Sequence, residues 1–125
     1  MSQKKKNQEQ GYTGGDKFFG QLVNEGIGDD SFIHEIVTIF LDESNHCLKH
    51  LKQASKEQNL ENVQLYSHKL KSSFLMFDMI EAHELVAKME NIEASKLSTV
   101  GQKIKRLDEI CEKSFTLLKD KYMTN

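Results

Sequence analysis

One histidine of the chain has neighbours that could support covalent chemistry. His68 begins the run HKLKSSFLMF of residues 68–77, and the spacing of its apolar residues predicts a helix at about 100° per residue. One face of this helix is apolar and carries Val63, Tyr66, Leu70, Phe74 and Phe77. His68 points about 160–200° away from Leu70, Tyr66 and Phe77 and should face solvent. A neutral imidazole is a good nucleophile near pH 7, so this histidine is the candidate reactive group.

The polar face around His68 carries groups that could assist it. Lys71 follows one turn later, about 60° around the helix, where its ammonium could stabilise negative charge on a transferring group. Leu75 lies seven residues after His68, about 20° from the same direction, and should be an exposed apolar contact. We expect four residues of this face to contact a docked partner: Gln64, Lys69, Ser72 and Leu75.

The stretch resembles the active-site helix of histidine-containing phosphotransfer (Hpt) domains, whose pattern is roughly H-x-L-K-G-[SA]-[SA]-x-x-x-G-[AL]. Ser72 and Asp78 stand where that family has glycine. The later pair Met89-Glu90 resembles the helix that follows the family motif, and the resemblance extends over roughly residues 16–121. Four residues match the motif at the right spacing: His68, Leu70, Lys71 and Ser73.

The resemblance implies a phosphoryl carrier in a multistep two-component phosphorelay. Nε2 of His68 would accept the phosphoryl group from an aspartyl phosphate in a receiver domain, and Lys71 would stabilise its charge. The partners would be receiver domains of response regulators and hybrid sensor kinases, and those domains would supply the Mg²⁺. The chain itself would need no cofactor. It would not be an enzyme with its own ATP site.

Two alternatives stay open. A pseudo-Hpt adaptor would bind a receiver or kinase without accepting phosphate, and Ser72 in place of glycine favours it. A metal-binding helical bundle could use Glu43, His46 and His50, which are spaced at one-turn intervals. Against it, these side chains point away from the apolar stripe, and no second E-x-x-H pattern accompanies them.

Composition limits the remaining possibilities. The 125 residues fit one domain and contain no proline or tryptophan, with 29% charged residues, which favours long helices. A net charge of −2 predicts no nucleic-acid partner. No apolar run approaches the roughly 18 residues of a membrane span, and no secretory signal is evident. We expect a cytoplasmic monomer in which Cys47 and Cys111 are free, buried thiols.

The predicted fold is all-α, an antiparallel up-down four-helix bundle with a short additional N-terminal helix. Residues 1–15 should be a disordered tail, and residues 16–122 should form the bundle domain, starting with the short helix over about 16–26. Asp29 or Asp30 should cap the next helix, which runs to about residue 56, and Asn59 the motif helix, which runs to about residue 77. Asp78 and Glu81 form a predicted capping box.

Apolar stripes define the packing faces of the bundle. In the helix after Asp78 we expect Ile80, Leu85, Val86, Met89 and Ile92 to pack inwards. The last helix should begin after a Ser98 or Thr99 cap. Its predicted stripe is Val100, Ile104, Leu107, Cys111, Phe115, Leu118 and Tyr122. The long helix before the motif should pack through Ile33, Ile36, Val37, Phe40, Ser44, Cys47, Leu48 and Leu51.

Overall fold

The computed structural model describes residues 29–123. The predicted tail of residues 1–15 and the predicted helix over about 16–26 lie outside these residues. No strand occurs in the described range. Its elements are α1 (Asp30–Lys56), α2 (Leu60–Met76), α3 (Ile80–Glu90), a 3₁₀ helix (Ala94–Thr99) and α4 (Val100–Tyr122).

The four helices form a closed bundle. The main packing partners are α1 with α2, α2 with α3, α3 with α4, and α4 with α1. Three residues separate α1 from α2, and three separate α2 from α3. Links this short make consecutive helices antiparallel. The predicted all-α, up-down bundle is confirmed.

Phe40 lies where three helices meet in the core. Its ring stacks on Phe77 at a centroid distance of 3.9 Å, and it meets Phe74 and Phe115 edge-on at 6.4 and 5.7 Å. Offset-stacked and edge-to-face pairs are the favoured arrangements of aromatic rings. This cluster joins α1, the C-terminal end of α2 and α4. It fixes the C-terminal end of α2, beyond His68.

The predicted caps at the starts of α1 and α2 are confirmed. The Asp29 side chain accepts a hydrogen bond from the Phe32 amide at 2.9 Å. The Asn59 side chain accepts one from the Asn62 amide at 3.0 Å. Each satisfies a backbone N–H that has no partner within its own helix. The starts of α1 and α2 are therefore fixed by local sequence.

The predicted capping box at Asp78 is wrong. Asp78 instead adopts a left-handed conformation with φ of 62° just after α2. Its amide donates to the Leu75 carbonyl, and the Met79 amide donates to the Phe74 carbonyl, which is the hydrogen-bond pattern of a Schellman turn. Met79 precedes α3 without a side-chain cap. Asp78 thus occupies the left-handed position that glycine favours at a helix end.

Two further residues with predicted capping roles, Glu81 and Thr99, have other hydrogen-bond partners. Glu81, the other half of the expected box, accepts two hydrogen bonds from the Arg106 guanidinium on α4, at 3.0 and 3.1 Å. Thr99 does precede α4, but its side chain makes no capping bond. Its hydroxyl donates back to the Lys96 carbonyl at 2.7 Å, because the chain enters α4 directly from a 3₁₀ helix. Thr99 therefore has the predicted position before α4, but the predicted capping hydrogen bond is wrong.

Most predicted packing positions are buried, with Ile80 the clear exception. Ile80 is 42% exposed, whereas Ala82 is fully buried. The first turn of α3 therefore packs through Ala82, and Ile80 lies on its outer side. No helix within residues 29–123 is long and apolar enough to cross a membrane.

Both cysteines are free and buried, as predicted. Burial raises the pKa of the Cys111 thiol to about 12, and burial also raises the pKa of Cys47. A thiol with a raised pKa forms little thiolate near neutral pH. Both residues therefore serve as small apolar side chains in the core.

Candidate active site

His68 lies in the middle of α2 with its imidazole directed outwards. The side chain is 66% exposed, whereas its neighbours Ser67 and Leu70 are buried. The predicted outward direction of His68 is confirmed. The ring is therefore accessible to a large partner without any rearrangement of the bundle.

Glu90, the last residue of α3, links the two predicted reactive residues. Its Oε2 lies 2.5 Å from Nδ1 of His68, and its Oε1 lies 2.5 Å from Nζ of Lys71. The Glu90 side chain is only 19% exposed. One carboxylate on α3 thus contacts both the imidazole and the ammonium on α2.

These contacts determine which nitrogen of His68 can react. Hydrogen bonds from Lys71 and then from His68 lower the pKa of Glu90, so its carboxyl group is ionised at neutral pH. An ionised carboxylate only accepts hydrogen bonds, and Nδ1 must therefore carry the proton. In the neutral ring, Nε2 is then left with the lone pair. The arrangement presents an exposed nucleophilic nitrogen and holds the opposite edge of the ring in place.

The packing of α3 against α2 brings Glu90 to this position. Met89 is fully buried in the core, so the adjacent Glu90 emerges at the rim of the α2–α3 contact. Nearer the start of α3, Nδ1 of His83 lies 3.0 Å from the Lys71 carbonyl oxygen. Beyond its end, the Gln64 side-chain amide donates to the Ile92 carbonyl at 3.0 Å. Polar contacts between the two helices thus occur on both sides of Glu90 along the chain.

Glu90 is the residue of the candidate site that the sequence reasoning missed. The pair Met89-Glu90 was part of the resemblance, but no role was assigned to the carboxylate. Glu90 is 22 residues from His68 and lies on another helix. One sequence signal does exist, since an acidic residue directly after the last apolar position of α3 must lie at the edge of its buried face.

Two of the predicted docking residues are exposed beside the histidine. Ser72 lies one turn after His68, and Lys69 lies next to it. The Lys69 ammonium is 5.6 Å from the centre of the Tyr66 ring, an attractive cation–π distance. The side chain of Lys69 is thus directed along α2 towards Tyr66.

The predicted exposure of Leu75 is wrong. Leu75 is only 9% exposed, although its helical direction is close to that of His68. Leu75 lies in the last turn of α2, next to the reversal into α3, so the surroundings of that face differ from those one heptad earlier. The exposed leucine near the histidine is Leu65, which is 42% exposed and lies one turn before His68. Leu65 shares the helical stripe of His68 and Ser72, a relation visible in the sequence.

The possible metal ligands on α1 are in contact with other aromatic rings. The His46 and His50 rings meet edge-on with centroids 4.5 Å apart, and His50 stacks on Tyr66 at 5.0 Å. Within residues 29–123, no group of three or more His, Cys, Asp or Glu side chains is placed to hold a metal ion. The metal-binding alternative gains no support from the described residues.

Comparison with known families agrees with this geometry. A family model described as Hpt domain matches residues 35–116, well over half of the chain. The chain belongs to the Hpt domain family. The match includes His68, Lys71 and Glu90, and it extends from α1 into α4. No curated protein and no solved structure matches the chain. Hpt domains take part in phosphorelays as carriers of phosphoryl groups on histidine, they interact with receiver domains, and they have no ATP site.

Proposed function

We propose that this Hpt domain accepts a phosphoryl group on Nε2 of His68 from the aspartyl phosphate of one receiver domain and passes it to another. The observation that carries the proposal is the contact between Glu90 and Nδ1, since the neutral form of this exposed ring then keeps its lone pair on Nε2. Attack by the Nε2 lone pair forms an N–P bond. The P–O bond to aspartate breaks, and the aspartate leaves as a carboxylate with that electron pair.

Glu90 and Lys71 have separate electrostatic roles in this step. The proton on Nδ1 stays on the ring during attack, so the phosphorylated imidazole is positively charged. The carboxylate of Glu90, at 2.5 Å from Nδ1, stabilises that charge. Lys71 lies one turn from His68, and its ammonium can turn from Glu90 towards the oxygens of the arriving phosphoryl group. The Mg²⁺ belongs to the receiver in this proposal.

The docking face in this proposal differs from the one expected from the sequence. Leu65 replaces the buried Leu75 as the apolar contact, and Ser72 and Lys69 remain at the rim of the site. Ser72 adds one hydroxymethyl group where the family has glycine. That group narrows the approach of a partner backbone but leaves the histidine exposed.

Phosphoryl transfer from a phosphorylated receiver domain tests the proposal. We expect acid-labile, base-stable label on the wild-type protein and none on His68→Gln. His46→Gln is the matched control, since it removes another exposed imidazole from the bundle and should keep the label. Label that persists on His68→Gln would place the acceptor elsewhere. Receiver binding without label on the wild type would replace the proposal with the adaptor alternative.

A further inference from the structure

The side chain of Gln64 connects α2 to the segment that follows α3. Its side chain is half-buried, and Nε2 donates a hydrogen bond to the Ile92 carbonyl oxygen at 3.0 Å. Gln64 lies one turn before His68 on α2, and Ile92 lies two residues after Glu90. The same two segments are therefore joined twice within one helical turn, once through Gln64 and once through Glu90.

Helix α3 needs such a contact because it is short and its start is not capped by a side chain. It has 11 residues and no side-chain cap at its start, and helices this short are marginal without tertiary support. Burial of Ala82, Val86 and Met89 fixes which face of α3 points inwards. Apolar burial is non-directional, however, and does not by itself fix the position of a carboxylate to a fraction of an ångström. A hydrogen bond does so, because its energy depends steeply on distance and angle.

We infer that Gln64 is a positioning residue, which holds the end of α3 against α2 so that the Glu90 carboxylate stays on Nδ1 of His68. The inference rests on the proposed function for its effect on transfer. Its effect on the histidine ring does not depend on that function. Without the Gln64 donor, the Ile92 carbonyl loses its contact with α2, and Glu90 is released from its fixed approach to the ring.

The consequence is a change in the protonation pattern of His68. With Glu90 in place, the proton stays on Nδ1 and Nε2 is the free nitrogen. When Glu90 moves away, the proton is shared between the two nitrogens of an exposed imidazole. A misplacement of about 1 Å can lower a reaction rate by up to 10²-fold. We expect about a 10-fold loss of transfer here, since the carboxylate remains nearby.

The test combines imidazole ¹⁵N NMR of His68 with receiver-dependent labelling, on the full chain at neutral pH. Gln64→Met keeps the volume of the side chain and removes the donor. Gln64→Asn keeps an amide on the surface but is one methylene too short to reach the carbonyl. Both should shift the Nδ1 and Nε2 signals towards those of mixed tautomers, in the direction of Glu90→Gln, and both should slow labelling.

Asn91→Ala is the matched control. It removes a side-chain hydrogen bond to the Ala87 carbonyl, 3.1 Å long, at the same end of α3 but within that helix. It should leave the ring signals and the labelling rate close to those of the wild type. Equal shifts in Asn91→Ala and Gln64→Met would mean general loosening of α3 and would overturn the inference.

The remaining outcomes separate the inference from the proposed function. Slow labelling in Gln64→Met with wild-type ring signals would make Gln64 a docking residue and overturn the positioning role. Unchanged ring signals and rate would also overturn it. If the wild-type protein takes no label while the Gln64 variants still shift the ring signals, the positioning role stands and the proposed transfer fails.

Discussion

Replacement of Asp78 by glycine should make the protein more stable. Asp78 has φ of 62°, and an L-residue in this region costs roughly 1–2 kcal/mol, with aspartate towards the low end. Glycine removes that cost but adds about 0.4–1 kcal/mol of conformational entropy to the unfolded chain. With a strain cost of about 1.2 kcal/mol for aspartate and an entropic cost of about 0.7 kcal/mol for glycine, the expected net gain for Asp78→Gly is about 0.5 kcal/mol.

Urea unfolding measures this gain directly. With an m value of about 2 kcal/mol/M, the midpoint should rise by roughly 0.25 M at unchanged m. Asp78→Ala is the control, since it keeps an L-residue in the strained position and should give no increase. Gln58→Gly tests the same reasoning after α1, where φ is 53°. Its gain should be smaller, because the Gln58 side chain donates to the Ser55 carbonyl at 2.8 Å and glycine loses that bond.

The sign of the change decides between two interpretations of Asp78. If its side chain capped α3, Asp78→Gly would remove a capping acceptor and lower the stability. A lower or unchanged urea midpoint for Asp78→Gly would therefore refute the argument from backbone strain. A higher midpoint would also show that the glycine of the family pattern serves the backbone turn at this position.

Four further predictions follow from the site and the core. The folded-state pKa of Glu90 is lowered, so its carboxylate stabilises the folded protein above the ordinary carboxyl pKa, and this contribution is lost as pH falls through the folded-state pKa. Glu90→Gln should therefore lower the free energy of unfolding in urea at pH 7 but not near pH 3. Lys71→Ala should slow labelling by the receiver about 10-fold while unfolding stays cooperative, and an unchanged rate would leave the lysine only a solubilising role. Leu65→Asp should weaken receiver binding in titrations, whereas the same change at exposed Leu117 on α4 should not. Cys111 should resist thiol reagents at pH 7–8 until the protein unfolds, as mass spectrometry can check; rapid modification of the folded protein would contradict its burial.

Local sequence accounts for the helices because their signals lie within a few residues. The caps at Asp29 and Asn59 and the apolar stripes are each readable from one segment. The structure confirms the two caps and, apart from Ile80, most of the stripes. Asp78 shows the limit of this reading. The residue fits both the start of α3 and the end of α2, and one backbone can adopt only one of these motifs. Asp78 forms the left-handed turn at the end of α2, although the sequence pattern for a capping box at the start of α3 was equally complete.

The site was only half predictable for a related reason. Helical periodicity gives the direction of a side chain, so His68 was correctly placed facing outwards. It does not tell what lies in that direction, and Leu75 points the same way but is buried near the reversal into α3. Glu90 depends on the register between two helices, which no periodicity within α2 contains. The burial of Leu75 and the position of Glu90 could therefore be predicted only from the packing of α3 against α2.

The carboxylate of Glu90 gives the proposed site two opposing properties that suit a carrier. In the proposed transfer, it would stabilise the positive ring that forms when Nε2 is phosphorylated, which favours acceptance. It also places a negative charge near a phosphoryl group that is itself negative, which favours release. Lys71 can contact either anion, since its ammonium already lies 2.5 Å from Glu90. With Glu90 absent, the ring would lose its fixed proton and the lysine would be free to hold the phosphoryl group. In the proposed relay, the three residues together would keep acceptance and release close in energy, as a group that must move on to a second receiver requires.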